Sequence, residues 1–237
     1  MNSWLRRLDF LRDYVRFKRM ASRLEPRFTV RWRDRYPCLQ DKTASTPFDR
    51  HYVYHVAWAA RVLARMNPAL HVDISSSLNF CSVVSAFIPV KFYDYRPVDL
   101  RLSNLSSDSA NLTALPFDDH SVPSLSCMHV IEHVGLGRYG DKVDPDGDLK
   151  AMAELQRVLG QNGSLLFVVP IGKPKIRFNA HRVYSYEQIC TYFRDLKLEE
   201  FALIPDRPQD GGLIAGASRE MADGQKYGCG CFWFKNV

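Results

Sequence analysis

From Leu70 onward the chain alternates short apolar runs with amphipathic segments, and this alternation restricts the available folds more than any other feature. Leu70–Ile74, Val90–Tyr93, Ser124–Val130 and Ser164–Val169 read as buried strands, each short and bounded by turn-forming residues. Between them, Phe80–Phe87, Asp148–Leu159 and Tyr186–Leu196 carry helical spacing, and Glu199–Ile204 and Cys229–Phe234 read as closing strands. Parallel strands need a crossover long enough to return over the sheet, and a helix supplies it. The predicted fold is therefore α/β: a doubly wound, mostly parallel sheet with helices on both faces and an antiparallel closing strand.

A helical extension precedes this body. Trp4, Leu8, Leu11 and Val15 recur at helical spacing, widened by Leu5, Phe10, Tyr14 and Phe17, with a helix expected to about Leu24. Pro26, Pro37 and Pro47 punctuate the segment that follows, and a second helix is expected over Asp49–Met66, ended by Asn67-Pro68. The extension is placed at residues 1–47 and the main domain at 48–237.

Charge divides the same way. Of a formal net charge of +6, residues 1–36 hold eleven Lys/Arg against four Asp/Glu, a net +7, and the rest is close to neutral at −1. A neutral body without aromatic-basic stacking disfavours nucleic acid as partner. The basic helix over residues 4–24 suits packing on the body, a second copy of the chain, or peripheral contact with an anionic membrane surface. No run reaches 18 apolar residues, and neither a secretory leader nor a cysteine pair of metal-binding spacing is visible. The six scattered cysteines read as structural and suit a reduced, cytoplasmic setting.

Ligands of doubly wound sheets bind at the carboxyl ends of the strands. The first strand ends Asp73-Ile74-Ser75-Ser76-Ser77, and the second ends in Asp94, 21 residues after Asp73. A carboxylate at that spacing suits two ribose hydroxyl donors. Downstream come Asn111-Leu112-Thr113-Ala114-Leu115-Pro116-Phe117-Asp118-Asp119, then His129-Val130-Ile131-Glu132-His133 after a strand, and Glu154-Leu155-Gln156-Arg157-Val158-Leu159 before the next.

This ordered set, over about residues 70–190, resembles the class I S-adenosylmethionine-dependent methyltransferases, and implies a Rossmann-like sheet with S-adenosylmethionine as cofactor. The run Glu132-His133-Val134-Gly135-Leu136-Gly137-Arg138-Tyr139-Gly140-Asp141, with Phe178-Asn179-Ala180-His181-Arg182, is similar to a little-characterised methyltransferase-like subfamily associated with polysaccharide biosynthesis. The resemblance implies that Asp73, Ser75, Ser77, Asp94, Asn111, Leu112 and His129 line the cofactor site. One departure stands out: the usual glycines of the first loop are Ser75, Ser77 and Asn79. Serine adds little volume and Asn tolerates left-handed backbone.

O-methylation needs a base for the acceptor hydroxyl. His133, with Asp141 nearby, and His181 are the candidates, because histidine titrates near neutrality. Arg138, Tyr139, Lys173, Arg177 and Arg182 are expected at the acceptor, a saccharide or other hydroxyl compound, which the cations suit if it is anionic. Two rivals remain. One is a non-catalytic protein of the same fold acting in a biosynthetic assembly. The other is a zinc hydrolase, since His129, Glu132 and His133 spell H-x-x-E-H. That chemistry needs a helix, whereas the motif follows a strand, where His129 and Glu132 would face opposite ways. No metal is expected at the site; Asp144, Asp146 and Asp148 fail the calcium-loop register, and Glu154 and Arg157 read as an ion pair.

Overall fold

The structure is a computed structural model that describes residues 3–25 and 27–237. The chain divides into two compact units, Met1–Phe48 and Asp49–Val237. In the first, helix α1 (Ser3–Ala21) buries none of its residues, and Trp4, Leu8, Leu11 and Val15 stay exposed along one stripe. Tyr14 sets its ring edge-on to Trp32 at 5.0 Å, and the Arg35 guanidinium lies over the same indole at 4.3 Å. No helix among the described residues is long and apolar enough to cross a membrane.

The second unit runs α2 (Arg50–Met66), β1 (His71–Ile74), α3 (Leu78–Val84), β2 (Val90–Asp94), β3 (Leu105–Ser109), β4 (Val122–Met128), α4 (Gly147–Val158) and β5 (Leu159–Ile171). It continues with β6 (Lys175–Arg177), β7 (His181–Val183), α5 (Tyr186–Tyr192), β8 (Lys197–Ile204), β9 (Ile214–Ala215), α6 (Arg219–Asp223) and β10 (Gly228–Lys235). Eight strands form one sheet in the order β3-β2-β1-β4-β5-β10-β8-β9, and β6 and β7 make a separate hairpin. Strands β1 to β5 are mutually parallel, and β10 inserts antiparallel between β5 and β8. This is the expected doubly wound sheet with an antiparallel closing strand.

Both faces are dry. Along β5, Leu165, Phe167 and Val169 join the core under α4 and α5, while Leu166 and Val168 join the core under α2 and α3. Burial of each such side chain contributes roughly 1.5–3 kcal/mol. The same alternation on β10 turns Phe232 and Phe234 one way and Cys229 and Cys231 towards the α2 side. Helix α2 begins at Asp49, whose carboxylate accepts from the Tyr52 N–H (3.2 Å), and ends at Asn67 in left-handed backbone before Pro68.

Two elements escape the apolar pattern. Strand β3, Leu-Ser-Ser-Asp-Ser, lies at the sheet edge and buries only Leu105, so it carries no hydrophobic alternation. Residues 160–163 are a bulged start of β5: Asn162 adopts φ +59 and its N–H donates to the Asn236 carbonyl at 2.7 Å. Strand order reverses at β1, whose neighbours β2 and β4 lead the chain in opposite directions. A crevice opens there beyond the strand ends.

Candidate active site

That crevice is a cavity of about 510 Å³, lined from the loops after β1, β2, β3 and β4. Ser75 turns the chain after β1 in left-handed backbone (φ +56), and its N–H donates to the Tyr93 carbonyl at 2.7 Å. A serine thus occupies a conformation that glycine adopts at less cost. Asp94 ends β2 at the cavity wall; one carboxylate oxygen accepts from the Arg96 N–H (2.7 Å), which leaves the other for a ligand hydroxyl. Leu112, buried, gives the wall an apolar patch.

The opposite wall is built after β4. His129 takes φ +58, and Ile131–His133 then form a single 3-10 turn. This turn brings His129 and Glu132 together: His129 Nδ1 lies 2.8 Å from Glu132 Oε1, both side chains buried. The expectation that they face opposite ways is thereby corrected, because an extended segment does not persist past β4. Burial pushes the Glu132 carboxyl up to about 7 and holds His129 down at about 4. His133 donates from Nδ1 to the Ala180 carbonyl at 2.6 Å, and its Nε2, 3.8 Å from Glu132 Oε1, keeps its lone pair. Burial, the largest influence on it, lowers the His133 pKa below the ordinary histidine value. The ring is therefore neutral at pH 7, the state a base needs.

Around this turn cluster further rings. His51 stacks on His129 (5.3 Å between centroids) and on Tyr227 (5.2 Å), and Tyr52 also stacks on His129 (5.5 Å). His55 meets His129 edge-on at 5.1 Å. Sequence reasoning missed His51, Tyr52, His55 and Tyr227; no motif links positions so far apart.

Comparison with solved structures returns this architecture. The N-methyltransferase NodS from Bradyrhizobium japonicum, crystallised with S-adenosyl-L-homocysteine, is 14% identical with a TM-score of 0.55, over 84% of this chain and 91% of that one. The fold is that of the class I methyltransferases. The Burkholderia thailandensis 1,6-didemethyltoxoflavin-N1-methyltransferase, with its substrate and S-adenosylhomocysteine bound, aligns at 10% identity and TM-score 0.54, over 81% of this chain and 92% of its own. An S-adenosylmethionine-dependent methyltransferase from Thermotoga maritima aligns at 14% identity and TM-score 0.54, over 79% and 90%. A sequence family described as "Caenorhabditis protein of unknown function, DUF268" matches residues 116–198, from the Leu-Pro-Phe turn into β8. No curated protein sequence matches the chain.

Within this methyltransferase fold the expected residues separate into two groups. Ser75, Asp94, Asn111, Leu112, His129, His133, Tyr139 and Asp141 all line the cavity, joined by Arg96 and Lys142. The others do not line it, and each has a physical reason. Asp73 is fully buried; its carboxylate accepts from the Ser76 N–H (3.0 Å) and the Ser126 hydroxyl, and so fastens the first loop from beneath. Ser77, at the N-cap position of α3 without a side-chain capping bond, lines a shallower recess that adjoins the cavity at Ser76, Asp94 and Arg96. Arg182 is buried, pairs with Asp148 at 3.4 Å and donates to the Val134 carbonyl at 2.6 Å, which makes it a strut under the loop after β4. Lys173 and Arg177 are exposed beyond β5, and Arg138 donates to Ala180 beside His133. His181 is tilted against Tyr227 at 4.8 Å, with its Nε2 buried.

Two lining residues play roles other than those expected. Asn111 Oδ1 accepts from the N–H and the hydroxyl of Thr113 (3.0 and 2.9 Å), so it closes its own turn rather than offering that oxygen to a ligand. Asp141 accepts from the N–H groups of Gly135, Gly137 and Tyr139 (2.9, 3.2 and 3.1 Å) and ties the loop shut instead of orienting His133. Gly135 sits at φ +78 where a Cβ would lie 2.0 Å from the Asp144 carbonyl oxygen, so only glycine lets this loop close. Asp148, which fails the calcium-loop register, is buried and accepts from the Tyr184 hydroxyl at 2.8 Å. Glu154 and Arg157 form the expected ion pair. The hydrolase motif lacks its helix, and Glu132 is engaged by His129, so H-x-x-E-H chemistry has no free base here.

Proposed function

We propose that the chain is an S-adenosylmethionine-dependent O-methyltransferase acting on a saccharide hydroxyl. The observation that carries this reading is one cavity with a ribose-competent carboxylate, Asp94, on one wall and a neutral histidine, His133, on the other. About 510 Å³ is within the size range of small-molecule sites. The residues present fit the cofactor: Ser75 holds the tight turn that glycine would hold, and Leu112 offers an apolar wall.

When bound, S-adenosylmethionine supplies a methyl group made electrophilic by the sulfonium. Asp94 would accept from a ribose hydroxyl through its unengaged oxygen and so orient the ribose. His133 Nε2 takes the acceptor proton, its ring fixed by the Nδ1–H bond to Ala180. Such general-base assistance accelerates transfer by roughly 10²- to 10⁴-fold. Arg96 and Lys142 are the cations that line the cavity, and they replace Lys173, Arg177 and Arg182 as partners for an acidic sugar. Arg96 is also stacked over Tyr139 at 4.7 Å, so the loops after β2 and β4 meet above the cavity. Transfer of labelled methyl from S-adenosylmethionine to a panel of uronic-acid, phosphorylated and neutral glycans tests the reading. Labelling of an acidic glycan that requires His133 supports it, and labelling of amines only would replace it with N-methylation.

A second reading has its own observation. Serine at the first-loop glycine position and the self-engaged Asn111 amide both weaken a cofactor site, as in a methyltransferase fold used for assembly without turnover. Absence of any cofactor binding selects that reading.

A further inference from the structure

The cluster behind the cavity contains more donors than methyl transfer uses. His51 on α2, His129 after β4 and Cys229 on β10 place two imidazole nitrogens and a sulfur within 4.8 Å of one another. His129 is 93% buried, and its Nε2 has no hydrogen-bond partner among the described residues. Its other nitrogen is bonded to Glu132, so the lone pair is held on the unpartnered Nε2. A carboxylate behind a histidine is the usual second layer of a zinc site, fixing tautomer and ring direction. The His51 ring is likewise held by the Tyr227 backbone. Cys229 is a buried free thiol on the strand face turned towards α2.

We propose that His51, His129 and Cys229 bind one zinc-class divalent metal ion, with Glu132 as the carboxylate that orients His129. Tetrahedral zinc with bonds of about 2.0–2.1 Å to nitrogen and 2.3 Å to sulfur sets its donors roughly 3.5 Å apart. Closing from the observed separations needs side-chain adjustment of about an ångström. Imidazole and thiolate donors select zinc over magnesium or calcium, which prefer oxygen. Binding displaces the thiol proton: the Cys229 S–H bond breaks, the S–Zn bond forms, and one proton enters solvent per ion. Three protein donors leave a fourth position for water or a substrate atom. Because His129 also lines the cavity, the ion stands at the boundary of the acceptor space. This set differs from the H-x-x-E-H reading: His133 is not a ligand, and Glu132 supports a ligand instead of acting on water.

The proposal does not rest on the methyl-transfer reading, since metal content is measured without cofactor or acceptor. The full chain, dialysed against zinc and then metal-free buffer, should retain about one zinc per chain by plasma mass spectrometry. H51A and C229S should each retain less than about one-tenth, while C38S, at an exposed cysteine, retains the full complement. E132Q should weaken zinc about 10- to 100-fold. If a variant fails to fold, cobalt in the unaltered chain still decides: a thiolate-to-cobalt charge-transfer band is expected. Absence of that band, or full zinc retention by folded H51A and C229S, would overturn the site.

Discussion

The two walls of the cavity are built on different principles. On the wall formed after β1, β2 and β3, polar side chains bond to backbone two or three residues away: Asp73 to Ser76, Asp94 to Arg96, Asn111 to Thr113. On the wall formed by α2, the loop after β4 and β10, neutral, half-buried rings gather around the buried His129 and His55 and are held by neighbours distant in sequence, as His133 is by Ala180 and His51 by Tyr227. Local turn chemistry makes the first wall adjustable one residue at a time, so serines stand where glycines are usual. The second wall is a packed cluster, in which each side chain depends on several others.

The largest test of this contrast is His133→Ala. Methyl transfer should fall about 10²- to 10⁴-fold with cofactor affinity unchanged; a loss confined to cofactor affinity would move His133 to the other wall. Arg182→Ala should leave Asp148 buried and unpaired, costing roughly 3–5 kcal/mol in urea unfolding. Intact stability with a raised acceptor KM would instead restore Arg182 to the substrate.

Acid should destabilise the fold through its buried histidines, most of them on the packed wall. Burial holds His51 and His129 at about 4, and His55 and His71 at about 3. Between pH 6.5 and 4 the unfolded chain takes protons on these rings that the folded chain refuses, so they make stability fall with falling pH. Asp73, raised to about 6, and Glu132, raised to about 7, act oppositely: the folded chain protonates them while the unfolded chain stays ionised. Four histidines outweigh two carboxyls, and the urea midpoint of metal-free protein should drop between pH 6.5 and 5. A rising midpoint would mean that the rings are not buried as described. The smallest effect belongs to Lys173→Ala, which should change neither stability nor methyl transfer, since the residue is exposed and outside the cavity.

The same contrast governs what the sequence reveals. Strands β1, β2, β4, β5, β8 and β10 are readable because both sheet faces are dry and their residues are apolar. Asp94 is readable because its spacing from β1 follows from the length of one βαβ unit. The edge strand β3 has no dry face to announce it. Asp73 and Arg182 bear the charges expected of ligand contacts, but whether a charge points into a cavity or beneath a loop depends on packing across 34 or more residues, as between Arg182 and Asp148. The ring cluster is the extreme case: His51, His129 and Cys229 span 178 positions and meet only because β10 inserts beside β5.

The central claim is that the cavity beyond β1, β2 and β4 binds S-adenosylmethionine through Asp94. Titration calorimetry with S-adenosylhomocysteine tests it most directly. The account predicts one saturating site per chain, with affinity reduced about 10- to 100-fold in Asp94→Ala, the loss of one or two hydrogen bonds to a charged acceptor. No heat of binding at millimolar ligand, or equal affinity in the variant, would contradict it.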